Sequence, residues 1–370
     1  MGGKMDLIYY YPSGMGGPNA VAKGLLKCLL KREKELPFRR IKLFVPTRNL
    51  KEVQEQFADL EVITFKDLNS LKDSLIHIPF GPLIFPNSKF LLQLFAIFKR
   101  RKLILQEHGD VRTEMRIKWK YEHRLNMFYI PTYIFYPYLL KSADKLIIHS
   151  YSMSNLVRSK YRVKNDVVIP NAIDDFWFDE HNKTNIELDG EPILFYHGRL
   201  APEKGVDLLI KGFTKAINKN SKAKLYISGE GTQRKQLEKM CIELGIKKRV
   251  IFLGYIDLEQ LKSYLGSVDA AIYPSIYEPF SLAILEAFSS VNGPVYYSKR
   301  AGVHDFVVRD GYSLNAFEPN VDNISKIIKD IIAGNYNKLL VKQQKEFARK
   351  YTWDKIIDQY IKVYRNICRE

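Results

Sequence analysis

Asp269-Ala270-Ala271-Ile272-Tyr273-Pro274-Ser275 is followed two residues later by Glu278-Pro279-Phe280-Ser281-Leu282-Ala283-Ile284-Leu285-Glu286. The first run has the short, apolar, aromatic composition of a buried strand that ends in a loop. The second is a Pro-Phe-Ser turn that leads into an apolar helical run. Glu278 is therefore expected on a loop at the carboxyl end of a strand, and Glu286 on the helix that follows. In open parallel sheets, ligands bind at that end of the strands. The start of the helix offers free backbone N–H groups and a partial positive charge, which suit a phosphate. Glu278 can accept hydrogen bonds from sugar hydroxyls and Glu286 from a ribose. The spacing alone also fits a capping acid and a solvated helix face.

The neighbouring segments repeat the strand-to-loop pattern. Ile193-Leu194-Phe195-Tyr196 reads as a strand, followed by His197-Gly198-Arg199-Leu200-Ala201-Pro202-Glu203-Lys204-Gly205-Val206 and an amphipathic helix from about Asp207. Arg199 can grip a phosphate bidentately, and Lys204 acts as a point charge. Leu225-Tyr226-Ile227-Ser228 runs into Gly229-Glu230-Gly231, and Val250-Ile251-Phe252-Leu253 into Gly254-Tyr255-Ile256.

These segments, in register from about residue 190 to 315, resemble the donor-binding half of retaining glycosyltransferases of family 4 (glycosyl transferases group 1). That resemblance, with N-terminal matches, covers nearly the whole chain. It implies the α/β GT-B fold, in which two Rossmann-like, doubly wound domains face a cleft and a C-terminal helix crosses back to the N-terminal domain. It also implies roles. Arg199 and Lys204 contact the nucleotide diphosphate. Glu278 holds the donor sugar, with backbone groups of Phe280, Ser281 and Leu282, and Glu286 binds the ribose. Gly229 lies at the donor, while Tyr255 and Ile256 line the nucleobase pocket largely through backbone.

Length and composition agree with two domains. A chain of 370 residues exceeds one ordinary core, and its 46% apolar content fills two. Cys28, Cys241 and Cys368 lack metal-ligand spacing and suggest neither a disulfide framework nor a zinc site. A cytoplasmic compartment is the resulting expectation. Met1-Gly2-Gly3-Lys4 reads as a vector-derived start, since the first strand begins only at Asp6. The longest apolar stretch, Phe128 to Leu140, is too short to span a bilayer and is broken by Pro131 and Pro137.

Alternating strand and helix signals mark domains at 1–174 and 191–349, with a polar, acidic linker expected at 175–190. The resemblance makes the first the acceptor-binding domain, with the helix at 350–370 returning to it, and the second the donor domain. Val167-Val168-Ile169-Pro170-Asn171-Ala172-Ile173-Asp174 closes the first domain. There, Gly16 and Gly17 follow strand one and remove side chains where a substrate approaches the backbone; the resemblance places such a loop at the donor phosphates and acceptor. His108 follows the strand at 102–106. The resemblance puts a histidine there against the donor sugar.

Charge points to the acceptor. The chain carries 58 Lys and Arg against 41 Asp and Glu, net +17, and residues 1–170 hold 29 against 15, net +14. The run from Lys89 to Phe98 is an apolar helix abutting Lys99-Arg100-Arg101-Lys102. It suits an anionic membrane surface or a buried helix with a cationic C-terminus. Arg112 and Arg116, with Lys118, Lys120 and Arg124, fit a phosphate-bearing acceptor or a solvated helix face. No aromatic-basic RNA motif, helix-turn-helix or zinc finger accompanies the charge, so no nucleic-acid partner is expected.

The expectation is a metal-independent, retaining hexosyltransferase with no cofactor. Its donor is a nucleotide sugar of GDP-mannose or UDP-glucose type. Its acceptor is a lipid-linked or phosphate-bearing glycan, met peripherally at the cytoplasmic membrane face. A soluble sugar acceptor is the alternative. A nucleotide-sugar epimerase would have a different acid pattern, and a non-catalytic binding module gives no reason for Arg199, Lys204, Glu278 and Glu286 to occur together.

Overall fold

The computed structural model describes residues 5–12, 14, 16–46, 50–81, 88–122, 130–179 and 186–369. The chain divides into two compact units. Unit 1 comprises Met1–Arg116, Arg124–Ala172 and Trp353–Glu370; unit 2 comprises Ile117–His123 and Ile173–Thr352. The vector-like start and Arg124 lie outside the described residues.

Unit 1 is built on β1 (Met5–Tyr10), β2 (Phe38–Phe44), β3 (Glu61–Ile63), β4 (Ser74–Ile78), β5 (Lys102–Glu107), β6 (Lys145–Ile148) and β7 (Asp166–Val168). They form one sheet in the order β3-β2-β1-β4-β5-β6-β7, with every pairing parallel. Helices cover both faces of such a sheet, which is why its central strands read as continuous apolar runs rather than alternating ones. Leu7, Ile8, Leu75, Ile76, Ile104 and Leu105 are all sealed from solvent.

The C-terminal helix Trp353–Arg369 belongs to this unit. Its buried stripe of Trp353, Ile356, Tyr360, Tyr364 and Ile367 follows the helical repeat. The Trp353 indole occupies the space a side chain at Gly24 would take: a Cβ there would lie 2.3 Å from Nε1. Tyr364 and Tyr360 reach the ends of β4 and β5, where their hydroxyls bond His77 Nδ1 at 2.7 Å and Gln106 Nε2 at 3.0 Å.

Unit 2 repeats the plan with β8 (Ile193–His197), β9 (Lys224–Ser228), β10 (Val250–Gly254), β11 (Ala270–Tyr273), β12 (Val295–Ser298) and β13 (Ala316–Phe317). The order is β10-β9-β8-β11-β12-β13, again parallel throughout. In each unit the strand order reverses once, between β1 and β4 and between β8 and β11. A crevice opens at the carboxyl ends of the strands at such a switch point.

Two expectations change in detail. The segment after Asp174 begins as a folded part of unit 2 rather than a free tether. Asp175–Phe178 forms a short helical turn with Trp177 buried. The fully buried Lys262 donates to the carbonyls of Phe176 and Asp179. Pro137 does not break its segment either, since helix Ile130–Lys141 runs through it. A proline has no N–H for the carbonyl four residues back, here that of Tyr133. Arg112 Nε donates to that oxygen at 2.7 Å, and Nη2 donates to the Ile134 carbonyl at 3.2 Å.

Candidate active site at the second switch point

The loops leaving β8 and β11 meet at the unit 2 switch point. The β8 loop turns at Gly198 and passes through Arg199 to a short helical turn at Pro202–Lys204. It packs tightly against the β9 turn. Gly229 has φ +124°, and a Cβ there would lie 2.0 Å from the Gly198 carbonyl oxygen, so only glycine fits. Gly205, with φ +66°, similarly abuts the Pro274 carbonyl at the end of β11. Backbone N–H groups of Ile276 and Tyr277 donate to the Glu203 carbonyl at 2.9 and 3.2 Å, which ties the β11 loop to the β8 loop.

Lys204 and Glu278 are brought together. Lys204 Nζ donates to Glu278 Oε2, and their side chains are only 15% and 11% exposed. Arg199 is more open, with 58% of its side chain exposed; Nη2 lies 3.0 Å from Oε1 of the buried Glu203. That approach is off the hydrogen-bond direction, and both Glu203 carboxylate oxygens lack a hydrogen-bond partner.

The β11 loop reaches the helix Leu282–Ser290 through Phe280 and Ser281. Phe280 is buried, edge-on to Phe306 at 5.8 Å between ring centres. The Gly302 and Val303 N–H groups donate to the carbonyls of Glu278 and Phe280 at 2.9 and 3.0 Å, which pins the turn from its other side. Ser281, the N-cap residue, holds φ +93° and ψ +98° and makes no side-chain capping bond. A non-glycine residue in that region is strained, and such strain gathers at functional turns. The Leu282, Ala283 and Ile284 amides at the helix start have no partner within the helix.

Glu286 lies one turn into that helix with 16% of its side chain exposed. His197, the last residue of β8, is 2.9 Å from Glu286 Oε2 through Nε2. Its other nitrogen, Nδ1, is 2.7 Å from the Tyr273 hydroxyl. Tyr255, past the end of β10, is exposed, and Ile256 beside it is half-buried. Sequence reasoning missed the His197, Tyr273 and Glu203 contacts. Only Glu203 carried a local signal, four residues after Arg199.

Unit 1 places its candidates at strand ends too. Gly16 is exposed in the turn after β1, at φ +105°, with open space where a Cβ would stand; Gly17 begins the next helix. His108 follows β5, half-buried, with Nε2 3.2 Å from the Pro79 carbonyl and its ring 4.5 Å from that of His149. Burial, then the His149 ring, hold its pKa well below the usual histidine value, so it is a neutral imidazole. Burial pushes the adjacent Glu107 up to about 8. Its Oε1 accepts from the Gly109 N–H at 3.1 Å, while Oε2 has no partner. Arg112, besides its two carbonyls, stacks over Tyr133 and Tyr161 at 4.9 and 5.2 Å. Arg116 is exposed.

Comparison with known proteins agrees with this geometry. Residues 178–351 match the family model described as Glycosyl transferases group 1. An uncharacterized glycosyltransferase of Methanocaldococcus jannaschii is 31% identical over 179 residues, which is 48% of this chain and 45% of that protein. The chain thus spans about half the length of that curated relative. Among solved structures, a sucrose-phosphate synthase from Thermosynechococcus elongatus superposes with a TM-score of 0.73 at 19% identity, covering 98% of this chain and 99% of that one. HepE of Anabaena, in complex with UDP and glucose, gives a TM-score of 0.71 at 18% identity, covering 98% and 100%. These likenesses show the fold. The chain has the GT-B fold of two Rossmann-like units, and its residues 178–351 match the group 1 glycosyltransferase family model.

Proposed function

We propose that this chain is a retaining hexosyltransferase. It moves a sugar from a nucleotide-diphosphate donor of GDP-mannose or UDP-glucose type to a lipid-linked or phosphate-bearing glycan. The observation that carries the reading is the gathering of Arg199, Lys204, Glu278 and the open start of helix Leu282–Ser290 at one switch point. The two cations neutralise the departing diphosphate, and such electrostatic stabilisation supplies much of the acceleration in group transfer. Glu278 and the amides around Phe280 to Leu282 hold the sugar. Glu286 takes the ribose, and the backbone at Gly229, Tyr255 and Ile256 takes the rest of the nucleotide. The cations make a metal unnecessary. In unit 1 the same strand-end position makes His108 and the Gly16-Gly17 turn the substrate-facing groups.

The acceptor class rests on the excess charge of residues 1–170 and on an apolar face of unit 1. Helices Ser88–Phe98 and Ile130–Lys141 are joined by Gln93 Nε2, which donates to the Leu139 carbonyl at 2.9 Å. Beside that joint, Leu91, Phe98, Ile134, Phe135 and Tyr138 are exposed, Phe98 to 79% and Tyr138 to 73%. Lys99, Arg100 and Lys141 are exposed with them. Exposed apolar side chains with cations at the ends of the same helices match an anionic bilayer. The protein then works peripherally at the cytoplasmic leaflet.

The test is incubation with UDP-glucose and with GDP-mannose in EDTA. Freed nucleotide and the anomeric configuration of the product are followed by NMR. Nucleotide release with retained configuration supports the reading; a wild-type protein that binds neither UDP nor GDP overturns it.

A further inference from the structure

The carboxylate of Glu286 is held from behind by a second pair of buried groups. His197 ends β8 and Tyr273 ends β11, the two strands of the switch point, and both side chains are shut from solvent. Their rings meet edge-on, with centres 5.4 Å apart and planes at 90°. A carboxylate oxygen only accepts hydrogen bonds, so His197 Nε2 carries the proton it gives to Glu286 Oε2 at 2.9 Å. The other ring nitrogen, Nδ1, lies 2.7 Å from the Tyr273 hydroxyl, so tyrosine, histidine and carboxylate form one hydrogen-bonded chain. Burial, and next the charge of Glu286, keep the tyrosine protonated and able to donate.

A buried histidine that only needs satisfying can bond the backbone, as His149 Nδ1 does with the Ile169 carbonyl at 2.9 Å. His197 instead spends its donor on a partly open carboxylate 89 positions away in sequence. We infer that His197, backed by Tyr273, is a positioning residue: it fixes one oxygen of Glu286 so that the other is presented to the ribose hydroxyls of a nucleotide. A free glutamate would lose rotamer freedom on binding, a cost that opposes it. A glutamate already held has met that cost. The inference rests on the proposed assignment of Glu286 to the ribose.

Calorimetric binding of UDP and GDP, each beside its 2′,3′-dideoxy analogue, tests it. Wild type is expected to prefer the ribose forms by about tenfold, the equivalent of one charge-assisted hydrogen bond. His197→Phe should lose most of that preference by weakening the ribose form, while the dideoxy form binds as before. His197→Gln, whose amide can donate to Glu286, should recover it. In a Glu286→Ala background, His197→Phe should have no further effect. Equal weakening of ribose and dideoxy forms by His197→Phe, or an unchanged preference, overturns the inference and leaves the donor assignment standing. If wild type binds neither UDP nor GDP, the donor assignment itself has failed and takes the inference with it.

Discussion

Lys204 and Glu278 are hydrogen-bonded to one another across the loops of β8 and β11. Arg199 leans on Glu203 in the same loop, so both cations are charge-balanced before a ligand arrives. This ion pair keeps a long, flexible lysine in place. In the proposed function a diphosphate competes with Glu278 for Lys204, and the carboxylate is freed for sugar hydroxyls once phosphate takes over. Glu278→Gln should therefore tighten UDP or GDP binding about three- to tenfold by removing the competing charge, while sugar transfer falls by about 10²-fold or more. Isothermal calorimetry beside a turnover assay separates the two effects. Weaker nucleotide binding in this variant would show that Glu278 does not compete with the diphosphate.

Removing Arg199 or Lys204 should each cost transfer about 2–4 kcal/mol of transition-state stabilisation. Each removal also strands a carboxylate: Arg199→Ala leaves Glu203, 3% exposed, without its cation, and Lys204→Ala does the same to Glu278, 11% exposed, so the melting temperature should drop in both. Near-normal turnover in either variant would falsify the assignment of this loop to the leaving group.

The sequence made the loops of the second switch point legible because each is local: a strand, a turn with a special glycine and a helix start lie within about ten residues of one another. The Glu278 and Glu286 positions followed from that grammar. The partners of those residues did not, because Lys204 with Glu278 and His197 with Glu286 are joined only by the parallel packing of β8 beside β11. Helix Ile130–Lys141 escaped for a similar reason. A proline inside an apolar run signals a break, and what satisfies the orphaned carbonyl lies elsewhere in the chain. Arg112, read by its charge as an acceptor contact, is the group that does so.

That relationship predicts an energetic coupling. Arg112→Ala leaves the Tyr133 carbonyl without a donor and should destabilise the protein by about 1–3 kcal/mol. Pro137→Ala returns an N–H to the helix at the position that faces this oxygen. In the Pro137→Ala background the Arg112→Ala cost should fall to less than half. A double-mutant cycle in urea measures it; additive effects would show that the arginine does not replace the missing helix bond.

The pH profile of unit 1 stability follows from its buried groups. Burial lowers His77 to about 3 and His149 to about 4. The unfolded value is near 6.5. Their contribution is fully present above that value and is lost as pH falls towards 4 and 3. Glu107 has the opposite sign. Its folded pKa near 8 exceeds its ordinary 4.5, so its contribution is full below about 4.5 and lost as pH rises through 8. Each proton is worth about 1.4 kcal/mol per pH unit across these windows. Melting temperature should peak near neutrality, and Glu107→Gln should flatten the alkaline limb and steepen the acid limb between about 4.5 and 6.5, where Glu107 opposes the histidines. An alkaline limb of the same steepness in that variant would rule out Glu107 as its source.

The membrane reading makes a two-part prediction, because its face has two kinds of group. Arg101 donates to the Leu71 carbonyl and Lys102 opens β5, which leaves Lys99, Arg100 and Lys141 as the cations beside the apolar stripe. Cations near an anionic surface are worth about 1 kcal/mol each. Salt screens that attraction over roughly 8 Å at physiological strength. Apolar insertion is not screened. The protein should therefore bind vesicles of phosphatidylcholine with phosphatidylglycerol, and pure phosphatidylcholine weakly or not at all, in a co-sedimentation assay. Lys99→Ser, Arg100→Ser and Lys141→Ser together should remove the salt-sensitive part of the binding. Phe98→Ser, Ile134→Ser, Phe135→Ser and Tyr138→Ser together should remove the part that persists in salt. Donor hydrolysis should stay normal in both variants, since Arg199, Lys204 and Glu278 all lie in unit 2. If the wild type ignores anionic vesicles at low salt, or the apolar changes instead dissolve a dimer seen by sedimentation, the face serves contact between protein copies and the bilayer assignment falls.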